Sequence, residues 1–238
     1  MISAIITSTK LFLLVVVTIL LAILALIVAL IEPKGRLYNF ISKVWSNTIL
    51  WICGVKVELI GKEHLQADES YVYVSNHISN FDIPVVIKAI PGQLRLVFKK
   101  ELAKIPIFGW QLKLGPYILI DRQNPSKAMQ SLNQAIEKIK LGVSVLLFAE
   151  GTRSKDGSIQ SFKRGAFTLA TRSGKKIVPV TIKGTYEILP KKKFNLRSGK
   201  VKLIIDKPIE HDGNTDKISE VSLMNEVRDI IVKNYESK

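Results

Sequence analysis

Two short blocks hold the residues best suited to chemistry: Ser75-Asn76-His77-Ile78-Ser79-Asn80-Phe81-Asp82 and Phe148-Ala149-Glu150-Gly151-Thr152-Arg153-Ser154. The first offers an imidazole as a base with a carboxylate to orient it. The second is a glycine-containing turn with an arginine whose planar donor fork matches phosphate oxygens. His77 and Asp82 stand five positions apart, whereas one face of a continuous helix unites residues three or four apart, so a turn has to join them. Ser79-Asn80-Phe81-Asp82 ahead of Ile83-Pro84 reads as a helix start with Asp82 in its first turn. Taken alone, Asp82 is also readable as a capping carboxylate, His77 as a surface or core histidine, and Glu150 to Ser154 as a turn with a solvated arginine. Phe162-Lys163-Arg164-Gly165 adds two cations and opens a helix whose N-terminus favours an anion. The stretch from Lys99 to Gly109, with Lys100 in it, sets lysines beside a bent apolar segment, which also reads as a basic amphipathic surface.

The elements that must position these blocks begin after Gly54. Val55–Ile60 alternates with period two, and Tyr71–Val74, Leu94–Phe98, Val143–Phe148, Ile177–Ile182 and Val201–Ile205 complete a set of strands. Between them, Ser126 is placed to cap a helix in which Ala128, Leu132, Ala135, Ile136 and Ile139 recur at helical spacing and which Gly142 stops. Further helices are expected from Gly165 to Ser173 and from about Ile218 to Lys233. This alternation predicts an α/β domain with a mixed or mostly parallel sheet flanked by helices. Because the run Val143–Phe148 reads as a buried strand, Glu150 to Ser154 falls just past its C-terminal end, where open α/β sheets bind ligands.

Ahead of that domain, Leu11 to Ile31 carries no charge and one polar residue, Thr18. About 21 residues at ~1.5 Å each give ~31 Å, close to the hydrocarbon thickness of a bilayer. No good cleavage site follows, which favours a retained hydrophobic helical anchor. Lys34, Arg36 and Lys43 follow it, so the positive-inside bias places the bulk of the chain on the cytoplasmic face of the cell membrane. Tyr38 to Cys53 is a second apolar stretch with Trp45 and Trp51, which leaves a helical hairpin entering one leaflet as the other reading. The division is residues 1–54 as anchor and 55–238 as the folded domain. A formal net charge of +15 biases the chain toward anionic partners such as membrane lipids. Cys53, the only cysteine, excludes an intrachain disulfide and a cysteine-rich zinc site, and His64, His77 and His211 are too scattered for metal ligands. With no G-x-S-x-G and Cys53 far from His77, a serine or cysteine hydrolase is not supported, and no nucleic-acid motif is present.

Four motifs in order carry a resemblance. Asn76-His77 with Asp82 resembles the NHxxxxD motif of the glycerolipid acyltransferases, and Phe148 to Ser154 their FPEGTRS block, with Ala149 where proline is usual. Lys100 to Gly109 is similar to KxELxxxPxxG, and Ile177-Val178-Pro179-Val180 to a short apolar motif ending in proline and a hydrophobic residue. The alanine is expected to loosen its turn slightly. The nearest pattern is the branch acting on 1-acyl-sn-glycerol-3-phosphate, which implies acyl transfer to the sn-2 hydroxyl of lysophosphatidic acid, giving phosphatidic acid. On that resemblance His77 and Asp82 are catalytic. Asn76, Lys100, Glu150, Gly151, Thr152, Arg153, Lys163 and Arg164 contact substrate, no metal or cofactor is needed, and the donor is an acyl-carrier protein or CoA thioester. Another lysolipid acceptor is the alternative within the family, and a membrane-tethered basic binding module the alternative outside it.

Overall fold

The computed structural model describes residues 2–32, 34–121, 124–140, 142–191 and 196–237. Lys192 and Lys193 lie outside them, as does the side chain of Ala128. The chain opens with α1 (Ile2–Ile31) and α2 (Arg36–Cys53), joined through Gly35 at φ 73°. So short a connection folds the two back on each other, and polar contacts fix the hairpin at three levels. Lys10 Nζ donates to Cys53 O at 3.5 Å, the indole N–H of Trp45 donates to Thr18 Oγ1 at 3.1 Å, and Glu32 accepts the Leu37 N–H at 3.0 Å. The single polar residue of the apolar run is thus satisfied by its hairpin partner. Ile5–Ile31 of α1 is long and apolar enough to cross a membrane, with mean hydropathy 3.5, yet Ala22, Ala25 and Val28 are buried against the rest of the chain.

Gly54, in the left-handed region at φ 67°, ends α2 and starts the sheet. Its strands are β1 (Val55–Ile60), β2 (Val72–Ser75), β3 (Leu94–Lys99), β4 (Ile118–Ile120), β5 (Ser144–Phe148), β6 (Ile177–Lys183) and β7 (Gly199–Ile205), in the order β1-β7-β6-β2-β5-β3-β4. β6 and β7 pair antiparallel and the other neighbours parallel, so the sheet is mixed. The three residues of β4 are too few to show period two, and sequence pattern gave no sign of that edge strand.

The helices are α3 (Asp82–Ala89), α4 (Phe108–Leu114), α5 (Pro125–Lys140), α6 (Gly165–Ser173), α7 (Thr185–Ile188) and α8 (Lys217–Glu236). Alternation along β2 shows how both faces are covered. Tyr73 joins Val85 and Val86 of α3 and the α2 side, while Val72 and Val74 join Phe167 of α6, Ile139 of α5 and Val227 of α8. The cap of α5 is Asn124, whose Oδ1 accepts the Lys127 N–H at 3.1 Å, rather than the expected Ser126. Pro125 then takes the first helical position, where its missing N–H removes no intrahelical bond. Gly142 closes that helix at φ 85°, as the sequence predicts.

Candidate active site

β2 and β5 are parallel neighbours, with Ser75 paired to Phe148 at their C-terminal ends. The two chemical blocks, some seventy residues apart in the chain, therefore leave the sheet side by side. Backbone bonds continue the pairing past the strands: Ala149 N–H donates to Ser75 O at 3.0 Å and Ser154 N–H to His77 O at 2.9 Å. Ala149 stands in this turn in place of the usual proline. It retains an N–H that proline lacks and uses it to extend the ladder.

The loop after β2 turns at once into α3, and that turn brings His77 to Asp82. His77 Nδ1 lies 2.8 Å from Asp82 Oδ2, which also accepts the backbone N–H groups of Ile78 at 2.7 Å and Ser79 at 2.9 Å. Asp82 Oδ1 accepts the hydroxyl of Thr185 at 2.6 Å, and the carboxylate is fully buried. Asp82 therefore closes the turn ahead of α3 and orients the imidazole, taking amides that precede the helix rather than capping it. With Nδ1 donating to the carboxylate, Nε2 carries the lone pair. The His77 ring stacks on Phe148, centroids 4.0 Å apart at 15°, and its side chain keeps 16% of its surface.

Glu150 is 2% exposed and does not face outward. One carboxylate oxygen accepts the His77 N–H at 2.7 Å and the other the Gln160 N–H at 3.1 Å. Burial raises its pKa to about 7, against the two backbone donors that favour the charged form. Beside it Gly151 adopts φ 72°, and a Cβ there would meet the Lys163 side chain at 3.1 Å. Lys191 Nζ donates to Arg153 O at 2.6 Å and approaches Thr152 Oγ1 at 3.4 Å. Arg153, Lys163 and Lys191 thus converge on one turn. Lys100 stands at the same end of the sheet, in the 3-10 helix Lys100–Lys104 after β3, 3.5 Å from Asp121.

Three residues expected at the substrate have other engagements. Asn76 is fully buried, donating to Ile182 O at 2.9 Å and accepting from Ile182 N at 2.8 Å, so it joins the ends of β2 and β6. Glu150 holds backbone, as above. Arg164 lies 3.6 Å from the buried Glu220 of α8. An amide and a carboxylate that leave a strand end can meet either backbone or ligand, and sequence spacing does not distinguish the two. Conversely, Thr185 and Lys191 act at the site without a sequence signal, because each reaches it from a segment more than a hundred or about forty positions away.

Next to the ring, a cavity of about 240 Å³ is lined by Val97, Leu147, Phe148, Gly151, Lys163 and Ala166 among others, with Lys163 its one charged residue. Phe148 belongs to both the cavity and the imidazole stack. The arrangement combines an oriented imidazole, an apolar recess and a cationic turn within one loop cluster. Among the described residues no group of His, Cys, Asp and Glu is placed to hold a metal ion.

The chain is 35% identical over 212 residues to the chloroplastic 1-acyl-sn-glycerol-3-phosphate acyltransferase LPAT1 of Arabidopsis thaliana, covering 88% of this chain and 57% of that one. It is 30% identical over 196 residues to the human 1-acyl-sn-glycerol-3-phosphate acyltransferase alpha, covering 82% and 69%. This chain spans between half and three fifths of the length of the two chloroplastic relatives from Arabidopsis thaliana and Brassica napus. The crystal structure of the 1-acyl-sn-glycerophosphate acyltransferase PlsC from Thermotoga maritima superposes with a TM-score of 0.81 at 27% identity, over 98% of this chain and 94% of that one. Residues 56–183, which include both blocks and the Lys100–Gly109 segment between them, match the family model described as Acyltransferase, and the chain belongs to that family.

Proposed function

We propose that the protein transfers a fatty acyl group from an acyl-carrier protein or CoA thioester to the sn-2 hydroxyl of 1-acyl-sn-glycerol-3-phosphate, giving phosphatidic acid. The observation that carries the reading is the 2.8 Å contact of His77 Nδ1 with the buried Asp82 carboxylate. A hydroxyl is a poor nucleophile at neutral pH, so His77 Nε2 takes its proton as the oxygen attacks the thioester carbonyl. Asp82 holds the tautomer and stabilises the imidazolium. The C–O bond forms, the C–S bond breaks, and the leaving thiolate recovers the proton. Neither an acyl-enzyme nor a cofactor is needed.

Arg153, Lys163 and Lys100 supply the charge for the acceptor phosphate, with Lys191 added by its position on the same turn. The apolar cavity beside Phe148 suits an acyl chain. In this reading α1 and α2 anchor the chain in the membrane, and the positive-inside bias of Lys34, Arg36 and Lys43 supports a domain on the cytoplasmic face of the cell membrane. Purified protein assayed against a panel of lysolipids with both thioester donors tests the reading. Turnover is expected with lysophosphatidic acid. Preference for a lysolipid lacking the free phosphate would move the acceptor assignment, and no transfer with any acceptor would reject it.

A further inference from the structure

α4 has two faces. Phe108, Gln111 and Leu112 turn inward, where they line a cavity of about 80 Å³ together with Thr18 and Ala22 of α1 and Trp45 of α2. Outward stand Trp110, 50% exposed, and Leu114, 54% exposed, with Ile105 at 44% just before the helix. The helix is reached through a γ-turn: Ile107 lies at φ 61° and ψ −64°, and Phe108 N–H donates to Pro106 O at 2.6 Å. A β-branched residue in this region is strained. Gly109 packs so closely under the preceding segment that a Cβ would lie 2.3 Å from Leu102 O. The fold therefore holds this ridge in place at a local cost.

Water is a poor solvent for such a ridge, and two observations identify what replaces it. The first is continuity. α1 packs against α4 as well as α2. Its own outer residues, such as Phe12, Leu20 and Ile27, are exposed, as are Leu37, Phe40 and Trp51 of α2. The second is charge. Lys99, Lys100, Lys104 and Lys113 are exposed around the ridge, and Glu101 is the one acidic residue between Lys99 and Leu114. Apolar and aromatic side chains set among lysines fit the headgroup region of an anionic leaflet.

We propose that Ile105, Trp110 and Leu114 form a second membrane contact, entering the same anionic leaflet as the α1–α2 hairpin. This rests on reading the hairpin as membrane-bound. Membrane attachment is then bipartite, and the segment bearing Lys100 is held against the lipid surface by its own domain as well as by the anchor.

The chain has three tryptophans, Trp45, Trp51 and Trp110, which makes the test direct. The full chain carrying Trp45→Phe and Trp51→Phe is reconstituted into phosphatidylcholine–phosphatidylglycerol vesicles with brominated acyl chains, and Trp110 fluorescence is measured. A parallel variant, Trp45→Phe with Trp110→Phe, reports from Trp51 on the hairpin, and circular dichroism checks that both fold. Both reporters are expected to be quenched. Quenching of Trp51 alone would overturn the proposal while leaving the hairpin reading intact, including the case in which a second protein copy covers α4. Quenching of neither would remove both. Adding Ile105→Ser and Leu114→Ser to the Trp110 reporter should reduce its quenching. In the otherwise unaltered chain the same two changes should lower activity on vesicle-embedded acceptor, relative to detergent-dissolved acceptor, by about tenfold, the factor given by ~1.4 kcal/mol of lost apolar transfer. An unchanged ratio would count against the contact.

Discussion

The Glu150 carboxylate accepts the backbone N–H of His77 at 2.7 Å, so the second block holds the first through main chain. The acid of the glycine-containing turn acts on the loop that carries His77, and its other oxygen ties that loop to Gln160. The cationic turn and the His77 loop are therefore parts of one hydrogen-bonded unit.

If His77 is the general base, His77→Ala lowers turnover by about 10²–10⁴-fold with folding intact. Asp82→Asn lowers turnover too, and it also destabilises the protein by about 1–3 kcal/mol. Its amide presents donors to a site where the N–H groups of Ile78 and Ser79 and the Thr185 hydroxyl already donate. Steady-state rates and urea denaturation measure the two effects. Near-normal turnover in both variants would defeat the mechanism.

The raised pKa of Glu150 predicts a pH dependence of stability. Its folded value, about 7, lies above the ordinary 4.5, so between those values the folded chain binds more protons than the unfolded one. The Glu150 contribution is present in full below about pH 4.5 and is lost as pH rises through about 7. Glu150→Gln removes that titration, so the stability difference between parent and variant should change across this window. Thermal unfolding from pH 4.5 to 7.5 checks it, and a difference independent of pH would contradict the assignment.

Arg153→Lys keeps the charge and loses the donor fork. Acceptor KM should rise by about tenfold, with donor KM little changed, if paired bonds to phosphate are worth roughly 1.4 kcal/mol more than a point charge. A defect confined to the thioester donor would place Arg153 at a different subsite.

Removing residues 1–33 should impair activity on liposome-embedded acceptor far more than on detergent-dissolved acceptor. The structure adds a stability cost. Val28 and Ala25 are buried, and α1 covers apolar side chains of α2 and α4. The truncated protein should unfold at lower denaturant concentration and aggregate without detergent. Parallel assays of activity and solubility separate the two consequences, and full liposome activity after truncation would show that the domain reaches lipid unaided.

Much of this architecture was legible in the chain itself. Six of the seven strands carry enough β-branched and apolar residues to be placed, Gly54 and Gly142 mark boundaries because their backbone conformations favour glycine, and the motif order identified the family. The short elements were hidden: β4 has three residues and α4 follows a γ-turn at Ile107, so neither leaves a periodic pattern. His77 and Asp82 could be paired from sequence because one local turn joins them. What only the tertiary structure decided was which polar groups are taken up by backbone or by neighbouring side chains. The parallel pairing of β2 with β5 turns Glu150 onto His77 N–H, β6 takes up Asn76, and α8 brings Glu220 to Arg164. A side chain's type fixes what bonds it can make, but its partner is fixed by which strand or helix the fold lays beside it.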